Sequence, residues 1–180
     1  MISHLILACL AICIFIIYNA AFSSIFGLPA SLSATFYVLN EKRPNLGWLF
    51  SAMMWVVCGL LIVPWIEVTL AISYWSEYFT ILPFASIVSL LFVATAPNFR
   101  DGGLPLEVHM TCAKASGVFA ILWVLIVCWK IMYVVPIWIL LCGAIAYLTN
   151  TAKSSSDWWT EMIAFGSTFT AILVELILSI

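Results

Sequence analysis

Four polar residues in the last apolar stretch of the chain have a spacing that could support chemistry. They are Asp157, Glu161, Thr168 and Glu175. Their separations of 4, 7 and 7 residues place them on nearly one face of a helix, which we call the polar stripe. An ionisable side chain within a membrane segment is costly and marks a functional site by default. We therefore expect this helix to turn the polar stripe towards the bundle interior or a water-filled cavity, and its apolar face towards lipid.

The two carboxylates of the stripe that lie deepest in this helix are too far apart to act together. Glu161 is expected about one turn inside one membrane boundary, and Glu175 lies ~21 Å further along the helix. As a functional site, Glu161, Thr168 and Glu175 would contact a proton or a ligand. As structural residues, they would form inter-helix hydrogen bonds or extend to the interface. The sequence favours the structural interpretation and leaves the functional one open.

A second group of ionisable residues begins the fourth predicted span. Glu107 and Lys114 share a helical face, which predicts an interfacial ion pair. His109 points nearly the opposite way, and it could meet Glu161 because both residues lie near the same end of the bundle. Such a pair could gate protons, orient a lipid head group or fasten two helices together. We expect the fastening role first.

The composition excludes most classes of protein. Of 180 residues, 66% are hydrophobic and 8% are charged, whereas soluble domains have ~45–50% apolar and ~25% charged residues. The mean hydropathy is +1.20. A soluble enzyme or a disordered protein is excluded, and so is a nucleic-acid partner, which would require a basic patch. An integral membrane protein with little mass outside the bilayer remains.

The sequence lacks the familiar catalytic and metal-binding patterns. It contains no GxSxG, HExxH, P-loop or dinucleotide-binding motif. All six cysteines lie inside predicted spans without a CxxC pair, and His4 and His109 are predicted on opposite sides of the membrane. We therefore expect no catalytic residue, no disulfide, no metal and no cofactor, and we favour a role other than catalysis.

Apolar runs divide the chain into six predicted spans, because a spanning helix needs ~20 mainly apolar residues to cross a ~30 Å hydrocarbon core. The predicted spans cover residues 2–26, 46–66, 78–96, 106–129, 131–149 and 158–180. The predicted fold is an all-α polytopic membrane helix bundle of six transmembrane helices, in a single transmembrane domain over residues 1–180. The first run is not expected to be a signal peptide, because no Lys or Arg precedes it.

Residues 27–39 follow the first span and allow three interpretations. One helix from Ile2 to Leu39 would be ~57 Å long, which is too long for one crossing. The segment could continue the first helix with a kink beyond Pro29, or line a cavity with its hydroxyl side chains, or form a short surface helix. We expect the short surface helix. The hydroxyl residues concerned are Ser31, Ser33 and Thr35.

Charged and aromatic residues near the span ends predict the orientation. Cytoplasmic loops collect Lys and Arg, and five of the six basic residues fall on one side. These are Lys42, Arg43, Arg100, Lys114 and Lys153, against Lys130 on the other side. We therefore predict both termini on the outer side of a cell membrane of the bacterial inner-membrane type. Interface anchoring is expected for six tryptophans: Trp48, Trp65, Trp75, Trp129, Trp158 and Trp159.

Three short motifs carry a resemblance to a known group of membrane proteins. They are Ala96-Pro97-Asn98-Phe99, His109-Met110-Thr111-Cys112-Ala113 and Glu161-Met162-Ile163-Ala164-Phe165. Through these motifs the chain resembles the six-span families related to the damage-regulated autophagy modulator proteins and their uncharacterised bacterial relatives. The resemblance covers about half of the chain. Lys114 and Met162 depart from the family pattern. The resemblance implies a six-span fold and attention to His109 and Glu161, but no reaction.

Three hypotheses for function follow. The first is a non-enzymatic protein that binds or moves a small apolar or lipid-like ligand, or supports a membrane assembly. The second is a channel or proton-coupled transporter that uses the polar stripe. The third is an intramembrane lipid-modifying enzyme with His109 as its acid–base. The expected partners are membrane lipids, with self-association or membrane partner proteins as further options.

Overall fold

The computed structural model describes residues 2–72, 76–95 and 103–179 of the chain. Three sequence-based predictions lie outside these ranges: the interfacial role of Trp75, the end of the third span at residue 96 and the cytoplasmic placement of Arg100. The helices are α1 (Ile2–Phe26), α2 (Ala34–Lys42), α3 (Trp48–Ile72), α4 (Ser76–Phe79), α5 (Ile81–Thr95), α6 (Gly103–Ile126), α7 (Val134–Leu148) and α8 (Ser156–Leu178). A 3-10 turn, Trp129–Ile131, precedes α7.

Six stretches of the described chain are helical, long and apolar enough to cross a membrane. They correspond to α1, α3, α4 with α5, α6, the 3-10 turn with α7, and α8. The predicted all-α bundle is confirmed, with six helices that are long and apolar enough to span a membrane. Consecutive spans cross in alternating directions, so residues 27–47 and 149–155 share one end of the bundle, which we call the linker end. The opposite end, with residues 2 and 179, is the terminal end.

The second span is longer than the sequence indicated. Its predicted end lay at residue 66, next to Pro64, whereas α3 continues to Ile72 with Pro64 inside it. A proline removes one backbone donor and kinks or breaks most helices, but neighbouring helices and local adjustments accommodate it in membrane spans. The other predicted boundaries differ from the helix ends by a few residues, and the third span is divided at Thr80, between α4 and α5.

The extended α3 changes the environment of Trp65. This side chain is buried and stacks edge-to-face on Trp123 of α6, with ring centroids 5.4 Å apart. Trp123 donates its indole N–H to Thr69 Oγ1 at 2.8 Å, which satisfies a polar group that hydrocarbon cannot. The prediction that Trp65 anchors the bundle at the interface is therefore wrong, because the helix continues beyond it and places it in the core.

The connection between α1 and α3 folds back into the bundle. Gly27 adopts a left-handed φ of 81°, a conformation that glycine reaches without steric cost, and this turns the chain after α1. Leu32 and Thr35 are then buried, whereas Glu41 and Lys42 at the end of α2 are exposed. We call residues 27–47 the linker. It contains a short helix, as one sequence interpretation has it, but the start of that helix lies inside the bundle and not on its surface.

Candidate functional site

Glu161 lies in the second turn of α8 and holds the linker. Its Oε2 accepts a hydrogen bond of 2.5 Å from the backbone N–H of Leu32. One turn earlier, the backbone N–H of Trp158 donates to the carbonyl of Ala30 at 3.0 Å. The first N–H groups of any helix lack partners within the helix. This contact therefore gives a partner both to an N–H group of α8 and to a carbonyl group of the linker. We call these four residues the clasp.

Side chains of α1 continue the clasp. Thr35 Oγ1 donates to the Leu32 carbonyl at 2.6 Å, so it accepts the proton of the Tyr18 hydroxyl at 2.7 Å. Asn19 accepts a hydrogen bond from the Trp158 indole N–H at 3.4 Å. The linker is thereby fixed between α1 and α8, with Leu32 and Thr35 buried where backbone groups cannot rely on water.

The structure does not bring Thr168 or Glu175 of the polar stripe to Glu161. Thr168 is buried among core residues of α8, and its hydroxyl has no hydrogen-bond partner among the described residues. Glu175 is half-buried near the terminal end, where Lys130 is its electrostatic neighbour. Ile172, one turn after Thr168, is fully buried. From Glu161 to Thr168 the stripe therefore faces the interior, and packed side chains interrupt it before Glu175.

His109 lies on the buried face of α6. It is 2% exposed, and Ser116 two turns later is buried on the same face, where it bonds to Ser86 of α5. Glu107 and Lys114 are both exposed. His109 and Glu161 belong to the linker end of two helices that pack together. The Glu161 carboxylate accepts a hydrogen bond from the linker backbone, which fastens the linker to α8. A pair between His109 and Glu161 stays a prediction.

An apolar groove lies on the opposite face of α8, and the sequence did not predict it. It has a volume of about 280 Å³ and runs between α1 and α7, with α8 as its floor. Its walls include Ile16 of α1 with Leu141 and Ile145 of α7. These three side chains are 56%, 46% and 40% exposed, so the groove opens sideways on the apolar surface of the bundle.

Aromatic side chains shape this groove. Phe15 of α1 packs against Phe165 and Phe169 of α8, with ring centroids 4.6 and 5.3 Å apart, which holds α1 against α8. Trp158 and Trp159 line the groove near the linker end. The apolar face that the sequence predicted for α8 was the available signal. The meeting of α1 and α7 on either side of that face depends on packing that no local pattern encodes.

The candidate metal ligands and the thiols are scattered over the described residues. No three His, Cys, Asp or Glu residues in these ranges are grouped as metal ligands. The six cysteines are free thiols. Cys9 and Cys13, one turn apart on α1, are exposed on its apolar surface.

No protein-family model, curated protein or solved structure matches this chain. The resemblance to families related to the damage-regulated autophagy modulator proteins therefore stays a prediction.

The clasp predicts different effects for two substitutions of Glu161. Glu161→Leu leaves the buried Leu32 N–H without an acceptor, at a cost of ~1–3 kcal/mol, and we expect the midpoint of thermal unfolding in detergent to fall by several degrees. Glu161→Gln keeps an acceptor oxygen and should lower it much less. Glu175→Leu, at the other end of the same helix, is the matched control. Equal losses for Leu and Gln at position 161 would contradict the assigned role.

Proposed function

We propose that this integral membrane protein binds one hydrocarbon chain of a membrane lipid, or of a lipid-like ligand, in the groove between α1, α7 and α8. The observation that supports this is the sideways opening of the groove on the apolar surface. The medium around that surface consists of hydrocarbon chains, so a chain can enter from the bilayer without passing through water. The proposed role is binding, without chemical conversion of the ligand.

The dimensions of the groove favour a slender occupant. Pockets for drug-sized ligands usually measure ~300–1,000 Å³, and this groove is slightly smaller, at about 280 Å³. A transmembrane helix from a partner or a second copy has a diameter of ~10–12 Å, so a ~20 Å length of it occupies several times the volume of the groove. The α8 residues that line the groove extend from Trp158 to Leu173. This distance is ~22 Å by helical rise, which is the length scale of one acyl chain.

Packing has to supply the selectivity of such a site. The indole N–H groups around the groove already have partners: Trp159 donates to Thr151 at 3.0 Å, Trp158 to Asn19, and Trp138 to Thr170. The hydrophobic effect gives no preference for this groove over surrounding lipid, because both are apolar. A bound chain gains close van der Waals contact with a preformed surface, and its polar head group stays outside.

Two neighbouring residues of α7 allow a matched test. Leu141 lines the groove, whereas Leu140 is 73% exposed and lies outside its lining. We expect Leu141→Trp to fill the groove and to lower chain affinity relative to bulk lipid by roughly tenfold, or ~1.4 kcal/mol. Leu140→Trp should leave that affinity unchanged. The measurement is the immobilised fraction of a phosphatidylcholine with a nitroxide on one acyl chain, by electron paramagnetic resonance in nanodiscs.

A loss that is equal for Leu140→Trp and Leu141→Trp would contradict chain binding in the groove. An unchanged immobilised fraction in Leu141→Trp would contradict it too. Size-exclusion chromatography with light scattering would identify a second copy of the chain as the occupant, if Leu141→Trp alone converted a dimer to a monomer.

We further propose that the linker end faces the cytoplasm and that both termini lie outside, in a membrane of the bacterial inner-membrane type. The support is the basic bias of that end, where Lys42, Arg43 and Lys153 are exposed. In a bacterial host, alkaline phosphatase fused after residue 179 should be active, and the same fusion after Lys153 should be inactive. The reverse pattern would contradict the orientation.

A further inference from the structure

One wall of the groove is a tryptophan that α8 holds at two points. The ring of Trp138, on α7, lies so close to Gly166 that a Cβ at that position would be 2.5 Å from the ring. Its indole N–H donates to Thr170 Oγ1 at 3.0 Å. Gly166 and Thr170 lie one turn apart on the same face of α8, so the indole lies flat across this helix.

We propose that Trp138 determines which ligand the groove accepts: a single unbranched hydrocarbon chain enters, and a lipid with a fused-ring skeleton, such as a sterol or a hopanoid, is excluded. This inference rests on the proposed chain binding. The absence of a side chain at Gly166 lets the large indole pack directly on the helix backbone. The indole lines the groove and takes up space that a fused-ring ligand would need in a volume of about 280 Å³.

The indole cannot easily move aside for a wider ligand. Any displacement away from α8 breaks the hydrogen bond to Thr170, and hydrocarbon offers the N–H no other partner. Displacement towards α8 is blocked by the backbone at Gly166. The wall is thus rigid for a physical reason, and rigid pockets reject ligands that exceed their shape.

Two photoactivatable probes test the proposal in nanodiscs: a phosphatidylcholine with a diazirine on one acyl chain, and a diazirine-bearing sterol. Labelling of groove peptides is measured by mass spectrometry. The wild type should be labelled by the chain probe and much less by the sterol probe. Trp138→Ala should raise the sterol-to-chain labelling ratio by roughly tenfold, the scale on which apolar pockets discriminate by size.

Two further variants keep the test decisive. Thr170→Val removes the acceptor of the indole N–H at nearly constant volume, so it should raise the sterol-to-chain labelling ratio by a smaller factor. This variant tests the proposal even if Trp138→Ala fails to fold. Ile137→Ala is the matched control, because Ile137 is on α7, 53% exposed and outside the groove, and its ratio should equal that of the wild type.

The outcomes separate this inference from the function on which it rests. Groove labelling by neither probe in the wild type would overturn the chain binding itself. Chain labelling with an unchanged ratio in both Trp138→Ala and Thr170→Val would overturn the role of Trp138 alone. Equal labelling of the wild type by both probes would also overturn the role of Trp138 and leave the chain binding standing.

Discussion

A backbone that leaves its helix inside a membrane protein must find partners for its N–H and C=O groups, because hydrocarbon supplies none. The linker between the first two spans meets this constraint by contact with α8. Its non-helical residues after Gly27 enter the bundle, and two of their backbone groups bond to Trp158 and Glu161. This contact explains the carboxylate of Glu161, which serves as the acceptor for the buried amide of Leu32.

The last helix uses its two faces for separate tasks. One face carries the polar stripe and packs into the interior, where Thr168 and Ile172 are buried. The other face, centred on Met162 and Gly166, forms the floor of the groove. Trp158 belongs to both arrangements, because its backbone N–H holds the linker and its ring lines the groove. A chain in the groove would therefore contact a residue that also holds the linker.

The sequence predicted those features that depend on local composition and helical period. Apolar runs of ~20 residues indicate spans, and the spacing of Glu107, His109 and Lys114 correctly separates a buried face from an exposed one. Predictions failed where tertiary packing overrides a local signal. Pro64 usually ends a helix, but the surrounding bundle retains it inside α3.

Contacts between distant residues were beyond reach of any pattern. Glu161 and Leu32 are 129 positions apart, and nothing near Glu161 indicates that its partner is a backbone amide. Only side chains carry a recognisable chemistry in a sequence, so the sequence indicated His109 as a possible partner, and that pair stays a prediction. The groove likewise depends on Gly166 meeting Trp138, and each of these residues has an ordinary local context.

Amide hydrogen–deuterium exchange in lipid nanodiscs tests the central claim most directly, namely that the linker backbone is held inside the bundle by α8. Peptides that cover residues 30–36 should exchange far more slowly than those that cover the exposed residues 41–46 and 152–154. Exchange of residues 30–36 as fast as that of these exposed segments would contradict the account.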